Sequence, residues 1–176
     1  MGVRAKPGDL FLIPLEDKVH GVGVVAAKWK SELYLVVFSE TVADAGALVD
    51  LGVETLTPLF ATSSLDAKLW HRHWPIVKRC ESLGGIQQPI YKVQESSGWV
   101  AESFDRSFRV AVGEDVAAEL RFRKCVAPIR IERGLKAHAG DGDWLPAYDD
   151  LLYREVLKSR EVVPVPPKNS SGTNVE

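Results

Sequence analysis

The chain has 176 residues and a formal charge of −2, with 45% hydrophobic and 26% charged residues. That length fits one domain, which at this size buries roughly two-thirds of its unfolded surface. No run approaches the ~18 apolar residues of a membrane span, and the near-neutral charge gives no blanket attraction to phosphate, so neither a membrane nor a nucleic acid is the expected partner. Residues 1–6 carry no apolar signal-like core, and Cys80 and Cys125 lie far apart, so a cytoplasmic chain with reduced, core-packed thiols is expected.

The first element is an apolar run over 10–15, behind Gly8-Asp9. Leu10, Leu12 and Pro14 alternate with Phe11, Ile13 and Leu15, so both faces are apolar and the strand should be covered on both sides. Glu16-Asp17-Lys18 turns the chain into a second strand, where Gly21 and Gly23 mark a sharp bend or a close approach by another backbone. Residues 33–39, LYLVVFS, read as a third core strand. A short helix is expected over 41–51, capped by Thr41 and stopped by Gly52. Residues 53–62 read as a strand that Pro58 confines to an edge or a bulge.

Residues 70–77 form a poorly alternating strand interrupted by Pro75. Between 81 and 105 the clusters Gly84-Gly85, Gln87-Gln88-Pro89 and Ser96-Ser97-Gly98 punctuate short strands at 90–93 and 99–101. Further strands are expected at 108–112 and 126–131, with 115–123 between them as a helix or, on its period-two alternation, a strand. A loop over 137–143 leads into a helix over 145–158 whose stripe of Leu145, Tyr148, Leu152 and Val156 should dock on the sheet. Residues 1–163 thus make one domain, and 164–176, rich in Pro, Ser, Gly and Asn, an expected disordered tail. The fold class is α+β: a strongly bent, mostly antiparallel sheet or small SH3-like barrel with two or three helices.

Gly21-Val22-Gly23-Val24-Val25-Ala26 fits the G-x-G-x-x-A dinucleotide fingerprint, with Glu40 at the right distance. That chemistry needs a buried strand running straight into the first glycine and a helix opening behind it. Here Glu16-Asp17-Lys18 cuts the strand and Val24-Val25 continues as another, so the glycines belong to a bent strand and no cofactor is expected. His71 and His73 share one face of a strand, a spacing that holds zinc if Asp66 or Cys80 converges and that also suits acid–base cleavage of RNA. Flanked by Trp70 and Trp74, they read more simply as the rim of an aromatic surface, with no metal. Nucleophile elbow, P-loop and Cys-x-x-Cys are missing from the sequence, so no catalytic residue is assigned. Asp141, Asp143, Asp149 and Asp150 beside Trp144 and Tyr148 have the make-up of a protein-binding surface, in which carboxylates speed association with a basic partner and aromatics anchor it. Helix caps and solvated faces use the same acids, and Trp144 also suits a staple that packs the last helix.

Gly8-Asp9, Phe11, Ile13-Pro14-Leu15 and Gly21-Val22-Gly23 together resemble the opening of the immunity protein 26 family. Trp74-Pro75-Ile76-Val77 is similar to that family's later Trp-Pro strand, and the helix at 145–158 falls where such proteins end. The chain departs from the pattern in carrying Lys78-Arg79 where a glycine usually follows. The resemblance implies a non-enzymatic, cytoplasmic bacterial immunity protein of a polymorphic toxin or contact-dependent inhibition system, which binds and neutralises a cognate, nuclease-type toxin domain. Candidate toxin-binding residues are then Asp141, Asp143, Trp144, Tyr148, Asp149 and Asp150, with Trp70, His71 and His73. The alternative is a nucleic-acid-binding barrel similar to PemK-like ribonucleases. It requires the basic stretches at 28–30 and 121–124 to converge, with Trp29 and Phe122 free to stack.

Overall fold

A computed structural model describes residues 2, 4–48 and 52–165. In chain order its elements are β1 (Asp9–Pro14), β2 (His20–Trp29), β3 (Glu32–Val42), β4 (Pro58–Ser64), α1 (Ala67–Trp70), β5 (Ile76–Arg79), β6 (Ile90–Glu95), β7 (Gly98–Ser103), β8 (Arg109–Val112), α2 (Glu114–Glu119), β9 (Arg121–Phe122), β10 (Cys125–Val126), α3 (Pro128–His138) and α4 (Tyr153–Val162). The protein is α+β. Six strands form one sheet in the order β10-β4-β3-β2-β1-β5, and four form a second, β8-β7-β6-β9. Pairing is antiparallel except where the two-residue strands β10 and β9 join β4 and β6 in parallel. The larger order ends at β5 and β10, so this bent sheet is open rather than closed into a barrel.

The alternation in β1 sets the layers. Phe11 and Ile13 join a core with Leu35 and Val37 of β3, covered by Leu69, Ile131, Leu135 and Tyr148. Leu10 and Leu12 face the other way, into a core with Val36 and Phe38 that Tyr91, Phe104 and Val156 cover. One face of the sheet therefore carries α1, α3 and the 3-10 turn Pro146–Leu151, and the other carries the second sheet and α4.

Gly8 and Asp9 are the clasp of this arrangement. Gly8 sits at φ 91, where its amide donates to the Val25 carbonyl (2.8 Å) and its carbonyl accepts from Cys80 (2.8 Å). A Cβ there would lie 2.6 Å from the Cys80 oxygen, so both backbone conformation and space demand glycine. The buried Asp9 carboxylate accepts from the Lys6 amide (2.8 Å) and from Arg79 Nε and Nη2 (3.0 and 2.8 Å), tying the start of β1 to β5.

Gly21 and Gly23 lie at a register shift between β2 and β3, the bend their spacing implies. What approaches them is side chain rather than backbone: Leu135 of α3 lies over Gly21, and the Phe11 ring over Gly23. A Cβ on Gly23 would stand 2.5 Å from that ring, which is itself held by a parallel stack on Trp74 with centroids 5.4 Å apart. Gly23→Ala is therefore expected to cost about 1–3 kcal/mol by overpacking, measurable as a lower urea midpoint at constant slope. An unchanged midpoint would mean that the ring yields freely.

Four expected elements are corrected. Thr41 and Val42 complete β3 instead of capping a helix; a 3-10 turn, Ala45–Leu48, follows, and 49–51 lie outside the described residues. The strand expected at 126–131 stops at Val126, because Pro128 supplies a preset first helical position and Ile131 and Leu135 fall one turn apart on a buried face. The helix expected over 145–158 is split at Leu152, whose extended backbone (φ −61, ψ 131) forms a bridge to Phe60. The split lets Tyr148 and Leu151 reach one core and Val156 the other, while Leu145 is exposed. Residues 70–77 end α1 and turn at Arg72 (φ 58) before β5, so they are not one strand. Of the expected tail, Val165 packs beside the buried Val163, and 166–176 lie outside the described residues.

Two buried tyrosines make this core sensitive to alkali. Tyr34 donates to the Gln87 carbonyl (2.9 Å), and the Tyr91 hydroxyl meets Ser63 Oγ (3.2 Å). Burial pushes Tyr91 up to about 12, against the opposing Ser63 hydrogen bond and the Arg123 charge, and burial drives Tyr34 well above its ordinary value. In the unfolded chain both phenols ionise near pH ~10, before the folded chain does, so stability complete below that pH is lost as pH rises towards about 12. The expected slope is about −1.4 kcal/mol per pH unit for each tyrosine ionising only when unfolded. Thermal melts between pH 8 and 12 measure it; a flat midpoint would contradict the burial of these phenols.

Candidate functional site

The acidic segment after α3 divides into three kinds of residue. Asp141 and Asp143 are exposed and form no ion pair among the described residues. Asp149 accepts a hydrogen bond from Trp144 Nε1 (3.1 Å), which orients the indole. Asp150 is an ion-pair hub instead, holding Arg121 (3.1 Å), Lys124 (3.4 Å) and Arg130 (3.6 Å). Its charge is spent within the fold.

Trp144 takes the packing role that its sequence context allows and stays partly exposed. Its ring lies over Phe60 (6.1 Å) and edge-on to Tyr148 (5.6 Å), so it staples the 3-10 turn to the core. It nevertheless remains 39% exposed. Tyr148 is buried in the core and is unavailable to a partner. The structure thus keeps Asp141, Asp143, Trp144 and Asp149 in one surface segment, buries Tyr148, and leaves Asp150 exposed but engaged by three cations.

Trp70, His71 and His73 form a second patch. Trp70 ends α1 and is exposed beside Gly2, and the two imidazoles follow in the turn with ring centroids 6.2 Å apart. They do not share a strand face, because β5 begins only at Ile76. No hydrogen bond, ion pair or ring contact links this patch to Trp144 among the described residues. Trp74, expected beside the histidines at the surface, is buried: its ring stacks on Phe11 and its Nε1 donates to Glu132 (3.3 Å), which also pairs with Lys68 (3.0 Å). Among the described residues no group of three or more His, Cys, Asp or Glu side chains is placed to hold a metal ion.

The basic stretches meet only in part. Trp29 receives the guanidinium of Arg123 (4.9 Å) and that of Arg106 (4.4 Å) on its ring, with Lys30 at 4.6 Å. Phe122 alternates to the other side and meets Trp99 (5.9 Å), under the ammonium of Lys92. The cations are also committed: Arg121 to Asp150 and Glu155, Lys124 to Asp150, and Arg123 to Glu32 and Glu102. A continuous, unpaired track for phosphates is not what this arrangement offers.

Behind Trp29 lies the feature that sequence reading missed. Glu102 of β7 is 1% exposed and pairs with Arg106 (3.2 Å), Arg109 (3.2 Å) and Arg123 (3.5 Å). Arg123 also donates to the Phe104 carbonyl (2.6 Å), locking the small sheet over Trp29 at one end of the large one. The sequence signal was slight: a lone glutamate in WVAES, with arginines four and seven residues on. Both cysteines are free, Cys80 partly buried and Cys125 exposed rather than in the core; burial pushes both thiols up, which favours their neutral forms. No helix among the described residues is long and apolar enough to cross a membrane. No family model matches the chain, and neither does any curated protein or solved structure.

Proposed function

We propose that this protein is a bacterial immunity protein, a non-enzymatic cytoplasmic binder that neutralises a cognate toxin domain of the nuclease type. The observation that carries the reading is the Trp144 corner. An indole oriented by Asp149 and backed by Phe60 and Tyr148 stands 39% exposed, in a segment that also presents the unpaired carboxylates Asp141 and Asp143. A fixed aromatic loses little conformational entropy on binding, and free carboxylates accelerate encounter with a basic groove. The resemblance of the segments at 8–23 and 74–77 to immunity proteins supplies the biological setting.

The test is co-purification from the bacterium that encodes the chain, with the tagged protein as bait at moderate salt. Recovery of one C-terminal toxin fragment is expected. The double variant Asp141→Lys, Asp143→Lys should weaken its binding at least about tenfold, chiefly through the association rate. Recovery of RNA instead, lost when Lys28, Lys30, Arg121 and Arg123 are neutralised, would replace this reading with the nucleic-acid barrel. A toxin fragment held equally well by the double variant would move the interface away from Trp144.

A further inference from the structure

A cleft of about 70 Å³ opens where α4 and the 3-10 turn Pro146–Leu151 pass the seam between the two sheets. Its walls are mostly apolar, built chiefly from Ala61, Ile90, Phe122, Val126, Leu152 and Val156. The polar groups inside are engaged: Ser159 Oγ donates to the Val156 carbonyl (2.7 Å) and accepts from the Ile90 amide (3.1 Å), Thr62 Oγ1 donates to the Ser63 carbonyl (3.4 Å), and the Tyr91 hydroxyl meets Ser63 Oγ (3.2 Å). The interior therefore spares no hydroxyl proton for a polar guest and favours an apolar one. Its volume is about half the ~150 Å³ of an apolar cavity that takes benzene, which leaves space for a branched group of three or four carbons.

The rim is charged and carries an excess of one cation: Arg121, Lys124, Arg130 and Lys158 against Glu119, Asp150 and Glu155. Arg121 spans the mouth, with Nη1 on Asp150 (3.1 Å) and Nη2 on Glu155 (3.0 Å). Both of these carboxylates hold a further cation: Asp150 keeps Lys124 and Arg130, and Glu155 keeps Arg154 (3.6 Å). Arg121 can thus leave either acid without stranding it, and its planar fork suits a bidentate carboxylate. Lys158, by contrast, is the only cation among the described residues that pairs with Glu119.

We propose that this cleft is a binding site for a short branched-chain carboxylate, with the apolar tail between Ile90 and Val156 and the carboxylate on Arg121. The assignment does not rest on the toxin-binding reading: of its candidate residues Asp150 alone lines the cleft, and Asp141, Asp143, Trp144 and Asp149 do not. Moving Arg121 off one of its two acids exchanges that ion pair for one with the ligand and keeps the other, while the tail leaves water for an apolar wall, so the gain comes mainly from apolar burial.

The experiment is a titration of the full chain with isovalerate, followed by nitrogen–proton correlation spectra, with the uncharged isostere isovaleramide in parallel. Saturable shifts at Ile90, Val156 and Ser159 are expected, with a dissociation constant on the order of 1 mM, as suits a ligand of this size. Isovaleramide and the variant Arg121→Met should each bind at least about tenfold more weakly. Absence of saturable shifts with isovalerate, or shifts confined to other regions, overturns the site. Equal binding of isovaleramide overturns the assignment of the head group, and that comparison on the unaltered chain decides the matter even if Arg121→Met fails to fold.

Discussion

Replacing Trp74 with alanine is expected to lower the free energy of unfolding by about 3–5 kcal/mol, the range for deleting a buried tryptophan. The side chain is fully buried, its ring lies parallel to Phe11 at 5.4 Å, and its Nε1 reaches Glu132. Deletion would open a cavity on the face of the sheet covered by α1 and α3, release Phe11 from its stack beside Gly23, and leave Glu132 with Lys68 alone. A domain of this size has only about 5–15 kcal/mol in total, so the variant should be marginally folded at room temperature. Trp74→Phe tests the partition: it keeps a ring against Phe11 and loses the hydrogen bond, so it should retain most of the lost stability. Urea denaturation followed by far-ultraviolet circular dichroism measures both. A loss below about 1 kcal/mol for the alanine variant would mean that the cavity collapses and that the stack contributes little.

Trp74 also shows how far the sequence could be read. Its neighbours His71, Arg72 and His73 are polar, and a strand alternating through them places both tryptophans at the surface. The chain instead turns at Arg72 with φ 58, and only then does Trp74 fall into the core. A left-handed arginine leaves no trace in composition or periodicity, because arginine has no preference for that region and enters it at a cost the surrounding structure must offset. The first three strands were legible for the opposite reason. Each is a long apolar run buried on both faces, and Leu10 to Ile13 give the same answer at the level of propensity, pattern and burial. The helix α3 was hidden because Ile129 and Ile131 alternate like a strand, whereas the decisive spacing is from Ile131 to Leu135, with Gly134 letting Phe60 and Tyr148 approach to 3.4 and 3.3 Å from its would-be Cβ.

The candidate surface was legible in part by the same logic. Asp141, Asp143 and Trp144 stand in a Gly-rich loop, where exposure is the default, and they are exposed. Asp149 and Asp150 are adjacent and chemically identical, yet one orients an indole and the other gathers three cations from β9, α3 and the segment between β9 and β10. Partners contributed by distant segments decide between those roles, and no local pattern records them. Residue type alone groups Trp70 with Trp144. The fold puts them at the end of α1 and after α3, in separate surroundings.

Glu102→Gln is the substitution expected to be most damaging among the charged residues. The carboxylate is 1% exposed and faces three guanidiniums, so the isosteric amide removes the compensating charge while leaving the shape of the site intact. Breaking a fully buried ion pair from one side costs about 3–5 kcal/mol, because the remaining charge stays uncompensated. Here Arg106 and Arg109 are 46% and 44% exposed and can turn to water, whereas Arg123 is only 13% exposed, is pinned by the Phe104 carbonyl and keeps the part-exposed Glu32 (3.3 Å) as its remaining acid. The expected loss is therefore about 2–3 kcal/mol, most of it from Arg123. A double-mutant cycle separates the contributions. Adding Arg123→Met to Glu102→Gln should recover part of the loss, because the least exposed cation is removed and the Glu32 it leaves is 21% exposed and can turn to water, while adding Arg109→Met should recover almost none. The opposite order of recovery would place the electrostatic burden on the exposed side of the network. It would make the joint between the two sheets a surface feature rather than a buried one.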